Sequence, residues 1–175
     1  MEHIIKQVKQ FMTKAGQEMP DKPCLPDPKT AAFRVDFILE ETSELIDALC
    51  DAYGMDKMVK HVITKYLDGA RKMLSWFSDD TGEPNPAKLP DIADALADLA
   101  YIVPGAAIAF GLPFAKIFDA VHDANMKRFG QGSYIREDGK LVRSPDWTHP
   151  NIAEIIGKVK KQPPDLTARE FNRSK

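Results

Sequence analysis

The stretch Asp91-Ile92-Ala93-Asp94-Ala95-Leu96-Ala97-Asp98-Leu99-Ala100-Tyr101-Ile102-Val103 decides the fold class. On a helix advancing about 100° per residue, Asp91, Asp94 and Asp98 fall at i, i+3 and i+7 and form one stripe. Ile92, Leu96, Leu99, Ile102 and Val103 make the remainder of that helix apolar, and a helix apolar nearly all round is expected to be buried. A second acidic row, Glu40-Glu41-Thr42-Ser43-Glu44, stands in another helical pattern, where Glu40, Glu41 and Glu44 share a side with Phe37 and Ala48. Buried carboxylates without partners cost roughly several kcal/mol each. Two such rows in one small chain point to a divalent cation held between them.

Working outward, Ile4, Ile5, Val8, Phe11 and Met12 predict a first helix over 3–15. Pro20, Pro23, Pro26 and Pro28 hold residues 17–29 extended. Thr30 is the expected cap of a helix over 30–52 that carries the glutamates. Apolar residues at helical spacing mark a further helix over 55–77. Residues 78–90, with Asp79-Asp80-Thr81-Gly82 and three prolines, read as a surface loop. Pro90 suits the first turn of the aspartate helix, expected over 91–110 and kinked at Pro104. A helix over 114–128 follows, then a short β arm at Lys140-Leu141-Val142-Arg143 and a last short helix after Pro150. The chain is therefore expected to be all-α, a four- to five-helix bundle with a short extended C-terminal arm. Residues 1–157 read as a single domain and residues 158–175 as a polar tail.

Composition narrows the class. In 175 residues, 43% are hydrophobic and 29% charged, as in ordinary soluble globular proteins. A net charge of −2 supplies no basic field for a nucleic-acid backbone, so no nucleic-acid partner is expected. Cys24 and Cys50 make neither a disulfide framework nor a metal knuckle, and read as a loop thiol and a small buried hydrophobe. The start, Met1-Glu2-His3-Ile4-Ile5-Lys6, lacks the order of a signal peptide. No run reaches the ~18–20 apolar residues of a membrane span, so no membrane partner and a cytoplasmic location are expected.

Carboxylates without neighbouring His or Cys select a hard cation, Mg²⁺ or Mn²⁺, when the substrate carries phosphates. Glu41, Glu44 and Asp98 are the candidate ligands, while Glu40 and Asp91 could equally be solvated helix faces. Such a site suits phosphoanhydride hydrolysis: the metal neutralises phosphate oxygens and activates a water, and a spare glutamate accepts its proton. Downstream, Asn125, Lys127 and Arg128 end a helix ahead of Gly130 and Gly132. They either complement the helix C-terminus or, with Lys140 and Arg143, reach the substrate's phosphates.

These motifs resemble the all-α NTP pyrophosphohydrolases of the MazG and phosphoribosyl-ATP pyrophosphohydrolase superfamily, with a closer likeness to the stand-alone dUTPase-like branch. The EExxE motif stands as Glu40-Glu41-Thr42-Ser43-Glu44, and the aspartate of ExxD as Asp98. An Asn-containing helix end, Val121-His122-Asp123-Ala124-Asn125-Met126, and a DGK arm, Asp138-Gly139-Lys140, complete the likeness, which runs from about residue 30 to 157. The ExxD glutamate falls at Ala95, so its role moves to Asp94, four residues before Asp98. Arg128 and Arg143 stand where lysines are expected.

The resemblance implies cleavage of a (deoxy)nucleoside triphosphate between the α- and β-phosphates, with dUTP or a non-standard nucleotide as substrate. A phosphoribosyl-ATP substrate is the alternative. It implies Glu40 and Glu41 as catalytic residues, and Glu41, Glu44, Asp94 and Asp98 as ligands of Mg²⁺ or Mn²⁺. Asn125, Lys127, Arg128 and Lys140 become the phosphate-binding set, and the partner a second copy, as a homodimer or dimer of dimers. Competing classes fit less well. An HD phosphohydrolase needs more than His122-Asp123, and a di-iron bundle needs Glu-x-x-His pairs where only Asp119 and His122 come near. An acidic interaction module would carry its carboxylates on an exposed face.

Overall fold

The computed structural model describes residues 1–77, 84–136 and 140–159. The Asp79-Asp80-Thr81-Gly82 loop, Asp138-Gly139 and the tail from residue 160 lie outside the described residues. Among the described residues the fold is all-α, as expected. Six α-helices run in the order α1 (Glu2–Lys14), α2 (Pro28–Ala52), α3 (Lys57–Phe77), α4 (Leu89–Ala109), α5 (Phe114–Lys127) and α6 (Ile152–Gly157). Between α5 and α6 the two-residue strands β1 (Tyr134–Ile135) and β2 (Leu141–Val142) pair antiparallel, Tyr134 opposite Val142 and Ile135 opposite Leu141. The expected β arm is thus the return strand of a hairpin.

The chain forms two compact units, one of residues Pro20–Asp94, the other of Met1–Met19 with Ala95–Lys175. In the first, α2 starts earlier than expected. Asp27, not Thr30, is its cap: Asp27 Oδ1 accepts from the Thr30 backbone N–H at 3.0 Å, and Oδ2 from the Thr30 hydroxyl at 2.6 Å. Pro28 at the first helical position has its φ already set for the helix and no N–H to leave unpaired, which moves the start back. Those two bonds hold the Asp27 carboxyl below its ordinary range, the hydroxyl contributing most.

A short turn reverses the chain after α2, and Cys50, buried as expected, places its sulfur 3.3 Å from that of Met55. The two helices are antiparallel neighbours, fastened by cations of α3 on carboxylates of α2. Lys60, near the start of α3, lies 2.8 Å from Asp47 and 2.7 Å from Asp51. Arg71, three turns on, reaches back to Asp36 and Glu40. Both carboxylate pairs are spaced i, i+4, so each makes one patch on the α2 face toward α3.

In the second unit, α1 lies along α5. Gln7 donates to Asp119 at 2.9 Å and His3 lies 3.0 Å from the same oxygen. Phe11 packs on Phe129 with ring centroids 5.2 Å apart, and Lys14 caps that ring at 5.1 Å.

The aspartate helix departs from expectation. It passes Pro104 without ending, but Ala107 is the one buried residue on α4. Leu96 is 53% exposed, Ile102 60% and Ile108 74%. The apolar pattern predicts burial, yet it records only that these side chains favour leaving water. It does not say that the same chain covers them. Contrary to the expectation that no run is long enough, Pro86–Ala109 is long and apolar enough, by length and composition, to cross a membrane. Asp94 and Asp98 interrupt the apolar run and would each cost about 3 kcal/mol at a bilayer centre, which argues against a spanning role.

Candidate functional site

The two acidic rows are exposed rather than buried. Glu41 and Glu44 on α2, and Asp91, Asp94 and Asp98 on α4, are all exposed residues. The desolvation cost that first pointed to a cation therefore does not arise in this chain, and the chemistry of the donors has to carry the case. Glu41 and Glu44 are spaced i, i+3 and Asp94 and Asp98 i, i+4, so each helix presents a pair of carboxylates on one patch. Among the described residues no three His, Cys, Asp or Glu side chains are gathered to hold a metal ion.

Glu40 differs from its neighbours. It is half-buried, and its Oε2 accepts from Arg71 Nη2 at 3.0 Å. The same guanidinium donates through Nε to Asp36 Oδ1 at 2.7 Å and through Nη2 to Asp36 Oδ2 at 3.3 Å. Hydrogen bonding to Asp36, with the added charge of Glu40, raises the Arg71 pKa further above its ordinary value. Reading the sequence passed over Arg71 and Asp36, which lie outside the EExxE motif. Asp91 makes an exposed ion pair with Lys88 at 2.8 Å.

The positive cluster is built around the end of α5. Asn125 and Arg128 are half-buried and Lys127 is exposed. The Arg128 N–H donates to Asn125 O at 3.1 Å, closing the last turn. A glycine turn then lets the hairpin's return strand press against the helix end. A Cβ on Gly130 would lie 2.9 Å from Ser144 Cβ, too close for any other residue without movement. Gly132 has φ +77°, in the left-handed region. Lys140 opens the return strand, half-buried, its carbonyl accepting from Arg136 N–H at 2.9 Å.

Arg143 follows the strand and brings its guanidinium carbon to 4.4 Å from the centroid of the Trp147 ring. Arg128 lies over the same ring at 5.0 Å. Phe33 meets Phe37 edge-on at 4.6 Å, and Phe11 packs on Phe129. Asp119, the nearest approach to a di-iron ligand, is taken by Gln7 and His3, which lower its pKa.

The sequence profile described as phosphoribosyl-ATP pyrophosphohydrolase (PRA-PH) matches residues 8–125. Comparison with curated proteins returns no match, and comparison with solved structures returns none either. The matched span takes in both acidic rows and ends at Asn125, ahead of Lys127, Arg128 and the hairpin. It covers well over half of the chain: this protein belongs to the phosphoribosyl-ATP pyrophosphohydrolase family, pyrophosphohydrolases acting on nucleotide-like substrates.

Proposed function

We propose that this chain hydrolyses a nucleoside triphosphate between its α- and β-phosphates, releasing the monophosphate and pyrophosphate. The family match over residues 8–125, which includes both carboxylate pairs, is the observation that carries it. The donor set fits a hard cation: exposed Asp and Glu oxygens without imidazole or thiolate among them. Mg²⁺, or Mn²⁺ in its place, would be held by Glu41, Glu44, Asp94 and Asp98. Mg²⁺ keeps several waters and needs only one or two carboxylates beside substrate phosphates, so pairs suffice. When bound, the ion supplies charge neutralisation at the phosphate oxygens and makes a nearby water more acidic.

The chain's own groups do the rest. Glu41, exposed and itself one of those ligands, also accepts a proton from the attacking water. Glu40, fixed by Arg71, orients rather than deprotonates. Lys127, Arg128 and Lys140 offset most of the roughly four negative charges of a triphosphate, and Asn125 donates hydrogen bonds to it.

The stand-alone dUTPase-like branch, with dUTP or a non-standard nucleotide as substrate, rests on the DGK arm and the Asn-containing helix end. Phosphoribosyl-ATP is the second reading, favoured by the description of the matching family. A homodimer or dimer of dimers is the expected assembly, supported by the uncovered apolar side chains of α4. The protein works in the cytoplasm, without nucleic-acid or membrane partners. A panel of dUTP, the other dNTPs, NTPs and phosphoribosyl-ATP, assayed for pyrophosphate release with Mg²⁺ or Mn²⁺, tests the proposal. Release of pyrophosphate from none of them, or release undiminished by chelator, defeats it.

A further inference from the structure

We infer that Trp147 is a positioning residue: its indole sets the guanidiniums of Arg128 and Arg143 as a pair that receives the diphosphate part of the substrate. The inference rests on the pyrophosphohydrolase reading above.

The indole is fixed before any arginine reaches it. Its Nε1–H donates to Ala124 O at 2.6 Å, one of the last-turn carbonyls of α5 that the helix itself leaves unpaired. The Trp147 backbone N–H donates to Ser144 O at 3.1 Å. Ser144, 4% exposed, ties back in turn, its N–H to Arg128 O at 3.0 Å and its hydroxyl to Gln131 O at 2.8 Å. Segment 144–147 is thereby fastened to the helix end and the glycine turn.

Two cations then approach one ring from different parts of the chain. Arg128 comes from the end of α5 and Arg143 from the end of the hairpin, at 5.0 and 4.4 Å from the ring centroid. A π face attracts each guanidinium, and an anion that bridges the two cations gains from both. A diphosphate has the charge and the length to bridge them. The geometry also accounts for arginine at both positions. A planar guanidinium stacks on an aromatic face and keeps its in-plane donors clear of that face, whereas an ammonium has no such plane. Arg128, Arg143 and Trp147 therefore act as a set.

Inorganic pyrophosphate binding to the full chain, measured by calorimetry, is the test. Arg128→Ala and Arg143→Ala should each weaken binding about tenfold, the loss of one charge-assisted contact. Trp147→Leu, which removes neither charge, should cost a similar factor of about ten, and Trp147→Phe, which keeps an aromatic face, about threefold. Arg143→Lys should weaken binding about fivefold in the native background, yet be nearly silent once Trp147 is leucine.

A role in folding alone would move the melting temperature without producing that coupling. Should Trp147→Leu fail to fold, Arg143→Lys and Trp147→Phe still decide: both within twofold of wild type overturns the inference. If both alanine variants weaken binding but Trp147→Leu does not, the positioning role falls and the phosphate site stands. If neither alanine variant matters, or the native chain does not bind millimolar pyrophosphate, the phosphate assignment falls with it.

Discussion

Arg71 Nε lies 2.7 Å from Asp36 Oδ1 while its Nη2 reaches Glu40 at 3.0 Å, so one guanidinium on α3 serves two carboxylates a turn apart on α2. The three side chains are 24%, 22% and 34% exposed, which places the cluster between a surface pair and a buried one. Arg71→Ala removes a cation that bridges two like charges. It should destabilise the fold by about 1–2 kcal/mol, between the exposed and buried limits. Urea denaturation measures this, and a change under about 0.3 kcal/mol would mean that the cluster contributes nothing.

The same contact divides the glutamates of the EExxE motif. Glu40→Gln should lower stability and reduce kcat by no more than about tenfold, whereas Glu41→Gln should reduce kcat by about a hundredfold or more. Equal losses of kcat in the two variants would give Glu40 a share in accepting the proton.

Asp119 makes the α1–α5 contact sensitive to acid. Hydrogen bonds from Gln7 first and His3 second hold its folded-state pKa below the ordinary 3.8. A depressed carboxylate contributes stability above its unfolded value and loses it as pH falls through the folded one. Asp119→Asn should therefore lower Tm near neutrality, and the gap between variant and native chain should narrow below the ordinary 3.8. A gap that widens on acidification would show that Asp119 is not held as the anion.

Helix existence was legible because apolar residues recur at the helical period, most clearly in α1 and α3, and the acidic motifs could be numbered outright. What escaped depends on distant residues. No local pattern tells which carboxylate an arginine 31 positions away will claim. A faint signal was present, since Asp36/Glu40 and Asp47/Asp51 are i, i+4 pairs eleven residues apart, and Lys60 and Arg71 repeat that interval in reverse order. Strand β1 was missed because two residues have no periodicity to read. Apolar patterning on α4 marked the helix but not its cover.

A second copy of the chain is the proposed cover. Ile102→Asp or Ile108→Asp, at positions 60% and 74% exposed in the single chain, should weaken association without harming the isolated fold. Sedimentation of the native protein at tens of micromolar should give a dimer or tetramer, with smaller species for the variants. A native chain that sediments as a monomer, or variants that associate as the native chain does, would remove the assembly.

The last test concerns Asp94 and Ala95. The resemblance expects a glutamate at 95, where alanine has no oxygen to offer, and Asp94 was assigned its role because it lies four residues from Asp98. Both aspartates are exposed on α4, and i, i+4 side chains meet on one patch, so the assignment is sterically sound. It differs from an i, i+3 pair in direction, because positions 94 and 95 are about 100° apart around the helix. If Asp94 has taken over, Asp94→Asn should cut kcat/KM by about a hundredfold or more, and Asp98→Asn likewise, by removing charge where the ion and the substrate phosphates meet. Ala95→Glu in the Asp94→Asn background should then restore at least about a tenth of native activity, since a longer carboxylate from the neighbouring position reaches toward the Asp98 patch. The fold should tolerate all three changes, as exposed helix positions accept them within about 0.5 kcal/mol. Asp94→Asn with native turnover would show that Asp98 works without it. In that case the second carboxylate of the α4 pair is to be sought at Asp91, freed from Lys88 when substrate binds.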